Sequence, residues 1–271
     1  MSEILLPVLI VGIIGLIAGV GLTVAAIVMS VPHDERIDAV RDALPGANCG
    51  ACGYTGCDDY AKAVVEQEEK TSLCAPGGAN TISGIAAALG KEPEPYASKT
   101  AVVRCFGSYD NTENQMQYRG ISTCAAAAQH FGGVSRCPAG CMGLGDCASA
   151  CPFGAVSVCN GVAVIDSEKC MACGLCVKKC PKNIIEIVPV RESAIVRCRN
   201  TQKGGETRKI CKSGCIGCSK CKQVCEFGAV KIENFLAEID HEKCTACGKC
   251  MAECPVGAIN HLTFKSAEQH C

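Results

Sequence analysis

Three patterns of apolar and polar positions divide the chain. From Ile4 to Val31 no charged residue occurs, a run longer than the ~20 residues a helix needs to cross hydrocarbon. The run predicts one N-terminal transmembrane helix. Residues 33–92 then read as a small helical domain, with helices over Asp58 to Lys70 and near Thr81–Leu89. Lys91-Glu92-Pro93-Glu94-Pro95 follows as a stiff linker. Beyond residue 98 the apolar alternation is short and recurrent. Ala155-Val156-Ser157-Val158 and Val162-Ala163-Val164-Ile165 predict two strands of a hairpin turned at Asn160-Gly161.

That last pattern occurs twice. Displaced by 74 residues, Phe153-Gly154-Ala155-Val156 falls on Phe227-Gly228-Ala229-Val230, and Ile165-Asp166 on Ile239-Asp240. The same displacement carries Cys124, Cys137, Cys141, Cys147 and Cys151 onto Cys198, Cys211, Cys215, Cys221 and Cys225. A tandem duplication accounts for this. The expected fold is α+β: a transmembrane anchor (1–32), a helical domain (33–92), and two similar units (98–190 and 191–271).

Cysteine supplies 26 of the 271 residues. Cys170, Cys173, Cys176 and Cys180 are spaced C-x2-C-x2-C-x3-C, as are Cys215, Cys218, Cys221 and Cys225, and Cys244, Cys247, Cys250 and Cys254. Structural zinc joins two C-x2-C pairs across a longer gap, and disulfide scaffolds are short secreted chains. The spacing instead suits 4Fe–4S cubanes in pairs, where the fourth cysteine, opening a helix, ligates the neighbouring cluster. In the first copy Leu144 stands where the second has Cys218, so a ligand is missing, and Cys137 is the expected substitute. The expected sets are Cys137, Cys141, Cys147 and Cys180; Cys151, Cys170, Cys173 and Cys176; Cys215, Cys218, Cys221 and Cys254; and Cys225, Cys244, Cys247 and Cys250. Upstream, Cys49, Cys52, Cys57 and Cys74 form a distinct fifth set in a glycine-bearing loop whose amides can face sulfur. Cys159 and Cys271 read as isolated thiols. Cys105, Cys124, Cys198 and Cys211 suffice for a sixth cluster, but packed thiols or disulfides fit them equally, and no ligand spacing chooses.

The flanks orient the anchor. Ser2 and Glu3 precede the apolar run and no clear small-residue cleavage site follows it, unlike a signal peptide. Arg36 and Arg41 lie after it, which predicts a single-pass cell-membrane protein with its bulk in the cytoplasm. Gly15 and Gly19 would let another helix approach. Net charge is −1, but residues 169–222 are strongly basic. Lys178, Lys179, Lys182, Arg191, Arg197, Arg199, Lys203, Arg208, Lys209 and Lys212 form a docking face for an acidic electron carrier, compensation for anionic clusters, or a solvated basic loop. Scarce aromatics in this segment argue against nucleic acid. No G-x-G-x-x-G or G-x-x-x-x-G-K-[ST] motif and no catalytic pair stands out, so no flavin or nucleotide site is expected and the reaction's ends lie on partners.

An N-terminal membrane helix, then Asn48-Cys49-Gly50-Ala51-Cys52-Gly53 with Cys57 and Cys74, then paired ferredoxin motifs, resembles the B subunit of the Rnf electron-transport complex in its extended form. The resemblance implies a subunit of a ferredoxin:NAD+ oxidoreductase coupled to Na+ or H+ transport. It implies reduced ferredoxin as donor, other Rnf subunits as partners, and passage through the Cys49–Cys74 cluster toward the membrane. A membrane-tethered polyferredoxin serving a hydrogenase or dehydrogenase is the alternative.

Overall fold

The computed structural model describes residues 2–28, 34–191 and 193–261, with side chains in the first stretch described at 9–25. Helix α1 (Ser2–Val28) runs unbroken through Pro7, and residues 9–25 are exposed all round. Among the described residues no helix is long and apolar enough to cross a membrane. The last residues of the apolar run, 29–31, lie outside the described residues.

Helices α2 (Glu35–Ala43), α3 (Cys57–Glu66) and α4 (Gly78–Leu89) form the helical domain. Asp34 caps α2 through the Arg36 amide. Val40, Tyr60, Val64 and Ile85 are fully buried between the helices. Gly84 lets α4 close on Ala43, where a Cβ would come within 3.0 Å of the Ala43 Cβ, and Thr81 Oγ1 donates to the Ala43 carbonyl at 3.1 Å. Helix α3 stops four residues before the expected Lys70: the chain turns at Glu68, whose φ is +53°, and the Lys70 carbonyl accepts from Tyr60 Oη instead.

The remainder is built of strands β1 (Lys99–Val103), β2 (Val156–Cys159), β3 (Val162–Ile165), β4 (Ile185–Pro189), β5 (Ala194–Val196), β6 (Val230–Glu233), β7 (Leu236–Ile239) and β8 (Ile259–His261). Short helices stand between them: α5 (Cys124–Ala128), α6 (Asp146–Ser149), α7 (Leu175–Lys179), α8 (Gly204–Ile210), α9 (Lys220–Gln223) and α10 (Lys249–Ala252). The strands pair antiparallel as β1–β4 and β2–β3 in the first unit and β5–β8 and β6–β7 in the second. The expected hairpin is present, with Asn160 and Gly161 both at positive φ, the conformation of a two-residue turn that follows strand twist. Each unit packs its hairpin, its terminal strand pair and its cysteines into one core.

Two sequence expectations change here. The short helices carry the third cysteine of each run (Cys147, Cys176, Cys221, Cys250), and the fourth follows the helix rather than opening it. The duplication is also not uniform. Strands β1 and β5 occupy equivalent places, each paired to its unit's last strand, so Val103-Arg104-Cys105 corresponds to Val196-Arg197-Cys198. Cys198 therefore matches Cys105, not Cys124. The first unit has a longer path from Cys105 to Cys137, and that extra chain contains Cys124 and α5. Part of it braces the second unit: the Lys212 amide donates to Asn111 O at 2.9 Å and Thr112 Oγ1 to Ile210 O at 2.6 Å.

Candidate iron–sulfur sites

Each ligand loop bends through two left-handed residues. They are Gly143 and Gly145, Ala172 and Gly174, Gly217 and Ser219, and Ala246 and Gly248. Ala172, Ser219 and Ala246 hold this conformation despite their Cβ, at a cost of order 1–3 kcal/mol each. The bends turn successive cysteines toward one centre and bring amides onto sulfur. Ala101 N donates to Cys170 Sγ at 3.4 Å, and Ala194 N repeats this on Cys244. Ala237 N lies 3.5 Å from Cys215 Sγ and Ala258 N lies 3.3 Å from Cys254 Sγ. At Gly217 the curl is tight enough that a Cβ would meet the Phe235 backbone at 2.7 Å.

Thiols lie near one another both within and between the expected sets. Burial pushes the Cys176 thiol up to about 11, and Cys170, Cys173 and Cys151 push the same way. Burial likewise raises Cys221 to about 11, with Cys215 and Cys218 adjacent, while Cys215 also feels Cys254. Burial raises Cys250, beside Cys244, Cys247 and Cys225. In the helical domain burial raises Cys74 to about 11, with Cys57, Cys49 and Cys52 around it. Asn48 Oδ1 accepts from the Cys57 amide at 2.8 Å and fixes the start of α3. These four groupings coincide with the sets expected from spacing, including the crossed fourth cysteine.

The remaining set differs. Burial pushes Cys147 up to about 12, and its neighbours are Cys141, Cys124 and Cys180. The same four cysteines line one cavity. Cys137 is elsewhere: it neighbours Cys105, Cys198 and Cys211. The fold thus brings Cys124, not Cys137, to Cys141, Cys147 and Cys180. Asp146 holds it there, its two carboxylate oxygens accepting from the Cys124 amide at 2.8 Å and the Ala125 amide at 3.0 Å. Thr123 Oγ1 caps the same short helix through Ala126 N. Leu144 packs in the same apolar group as Cys124. Of the two cysteines read as isolated thiols, Cys159 is disulfide-bonded rather than free, and Cys271 lies outside the described residues.

The donor sets suit cubanes better than single ions. Among the described residues no three thiols, imidazoles or carboxylates converge closely enough for one metal ion. A tetrahedral zinc draws its four sulfurs to ~2.3 Å from a single point, whereas a cube of irons and sulfides holds them further apart. Buried thiols with raised pKa stay protonated until metal displaces the proton, which couples site filling to metal supply.

Part of the basic segment is engaged by the fold, while Arg191, Lys203 and Arg208 are exposed. Lys182 Nζ donates to Pro138 O at 2.6 Å and also to Gly132 O. Arg199 pairs with Glu186 at 3.2 Å, Lys209 with Glu206 at 3.0 Å, and Lys212 Nζ donates to Asp110 O. Lys178 and Lys179 remain exposed, as do Lys220 and Lys222 beside the exposed Cys218.

A putative Fe–S cluster family model matches residues 44–76, and a 4Fe–4S binding domain model matches 163–186 and 237–260. The chain is 41% identical to the B subunit of the Na(+)-translocating ferredoxin:NAD(+) oxidoreductase complex of Acetobacterium woodii, over 90% of this chain and 73% of that one. It is 39% identical to the B subunit of the ion-translocating oxidoreductase complex of Methanosarcina acetivorans, over 85% and 88%. It is also 39% identical to the B subunit of the proton-translocating ferredoxin:NAD(+) oxidoreductase complex of Clostridium ljungdahlii, over 89% and 85%. With its ferredoxin-type folds and these relatives, the chain belongs to the family of B subunits of the ion-translocating ferredoxin:NAD(+) oxidoreductase, or Rnf, complexes.

Proposed function

We propose that this chain takes electrons from reduced ferredoxin at its second unit. It passes them toward its membrane end, within an assembly that reduces NAD+ with coupled Na+ or H+ translocation. A cubane, when bound, supplies a one-electron carrier. The observation that supports this reading is contiguity of the cysteine sets. Cys250 lies near Cys221 within the second unit, and Cys49 of the helical domain lies near Cys173 of the first. The helical domain follows α1 in the chain, and the second unit presents the exposed thiols Cys218 and Cys247. The wire so read has a solvent end and an anchor end.

The anchor reading rests on Ile4–Val31, without a charge, and on α1 exposing its apolar side chains at 9–25 rather than packing them. Exposed apolar area on this scale marks contact with lipid or another protein. The chain should remain in the membrane pellet after alkaline carbonate extraction. Complete release into the supernatant removes the anchor, and with it the single-pass, cytoplasm-facing placement.

Docking of an acidic ferredoxin is placed at Lys220 and Lys222. The double substitution Lys220→Glu/Lys222→Glu should slow reduction by ferredoxin about tenfold at low ionic strength and flatten its salt dependence. The same reversal at Lys178 and Lys179 should do less. Equal rates in all three proteins at low salt would sink the placement of the entry port.

A further inference from the structure

Apart from Cys159 and Cys271, four cysteines remain outside the five sets, and they meet on the seam between the ferredoxin-like units. Cys105, Cys137, Cys198 and Cys211 are each 6–8% exposed and line one cavity. Two come from each unit, at equivalent places. Cys105 and Cys198 follow the equivalent strands β1 and β5, while Cys137 and Cys211 precede the equivalent runs beginning at Cys141 and Cys215. All four are free thiols.

Their sulfurs collect amides as the other sets do. Gly107 N and Cys141 N both donate to Cys105 Sγ at 3.4 Å, and Asn200 N lies 3.5 Å from Cys198 Sγ. The Ala139 amide faces Cys137, and the Ser213 and Gly214 amides face Cys211. Amides directed at sulfur from several chain segments are what an anionic cluster needs and what packed thiols do not.

Two arginines frame the seam. Arg104 is buried, and its side chain crosses to the second unit, with Nε donating to Val196 O at 3.2 Å and Nη1 paired with Glu186 at 3.4 Å. Arg197 crosses the other way, its guanidinium 5.2 Å from the centroid of the Phe106 ring. Its Nε is enclosed and has no hydrogen-bond partner, and no carboxylate among the described residues pairs with it. A buried cation without a carboxylate is costly unless an anion lies beside it.

We propose that Cys105, Cys137, Cys198 and Cys211 bind a sixth 4Fe–4S cluster between the two units, with the Arg197 guanidinium as its counter-charge. The proposal rests on the iron–sulfur reading of the other five sets. The site has a set on either side: Cys198 acts on Cys215 of the second unit, and the Cys141 amide of the first donates to Cys105. It therefore closes the gap between the pairs of sets in the two units. Each transfer moves one electron, oxidising the set that gives it and reducing the one that receives it, with no proton or bond exchanged.

The test is the iron, zinc and acid-labile sulfide content of the anaerobically purified full chain, together with an EPR-monitored redox titration. Six cubanes give about twenty-four irons per polypeptide and five give about twenty. The full chain should show the higher count, and Cys137→Ala/Cys211→Ala should lose about four irons. Arg197→Gln should keep the full count and move one midpoint potential downward. A full chain with about twenty irons, with or without one zinc, overturns the sixth cluster. That outcome is read on the unmodified chain and needs no variant to fold. Zinc throughout with no labile sulfide instead overturns the iron–sulfur reading of all the sets. An unmoved midpoint in Arg197→Gln overturns the counter-charge role while the ligand assignment stands.

Discussion

Cys124→Ala should remove one cubane, about four irons per chain, and adding Leu144→Cys to it should restore them. The two positions compete for one place in space. In the second unit the loop Cys215-Ile216-Gly217-Cys218-Ser219 turns left-handed at Gly217 and Ser219, presenting Cys218. In the first, Gly143 and Gly145 make the same two turns with Leu144 between them. The backbone for a middle ligand is thus intact, and only the thiol is absent. Cys124 arrives from outside the loop on α5, held by Asp146, and Leu144 packs in the same apolar group. Leu144→Cys removes that bulk and returns sulfur to its place on the loop. Iron counting with the EPR spectrum checks both steps. If Cys124→Ala keeps its full iron, or if Leu144→Cys fails to rescue a folded Cys124→Ala chain, the substitution of one ligand for the other is wrong.

This exchange shows what the sequence could and could not disclose. Spacing within a run is local, because three cysteines a few residues apart can only wrap one centre. The local groupings around Cys170, Cys215, Cys244 and Cys49 could accordingly be proposed from spacing, and the Asn160-Gly161 hairpin was legible. Cys124 and Cys137 carry no such local signal. Each reaches its set through chain folding over many residues, and a single displacement of 74 hid the insertion that separates Cys105 from Cys137. The better signal was Val103-Arg104-Cys105 against Val196-Arg197-Cys198, which marks equivalent strand ends regardless of the insertion. The basic segment was ambiguous for a similar reason. Composition cannot separate Lys182 and Arg197, which the fold engages with carbonyls and an aromatic ring, from Lys178 and Lys179, which it leaves exposed.

Stripping iron anaerobically with chelator should unfold the chain beyond residue 98 while leaving α3 and α4 protected. The reason lies in what each part can bury. Helices α6, α7, α9 and α10 have four or five residues, far below the ~12–15 at which an isolated helix becomes even marginal. Among the described residues the sheets are all two-stranded, and a lone two-stranded ribbon is marginal in water. The two ferredoxin cores are lined in large part by the cysteines themselves, so removing metal leaves thiols around empty space. The strained residues Ala172, Ser219 and Ala246 then hold their conformation with no ligand to require it. Metal binding in such units is folding free energy. The helical domain differs in degree, because Val40, Leu44, Tyr60, Ala61, Val64 and Ile85 pack between helices of 9, 10 and 12 residues, with Cys74 the one cysteine buried among them. Amide hydrogen exchange before and after chelation is the measurement. Protection retained across β1–β8 in iron-free protein would show that apolar packing alone holds these units, and that the clusters are passengers in a fold that stands without them.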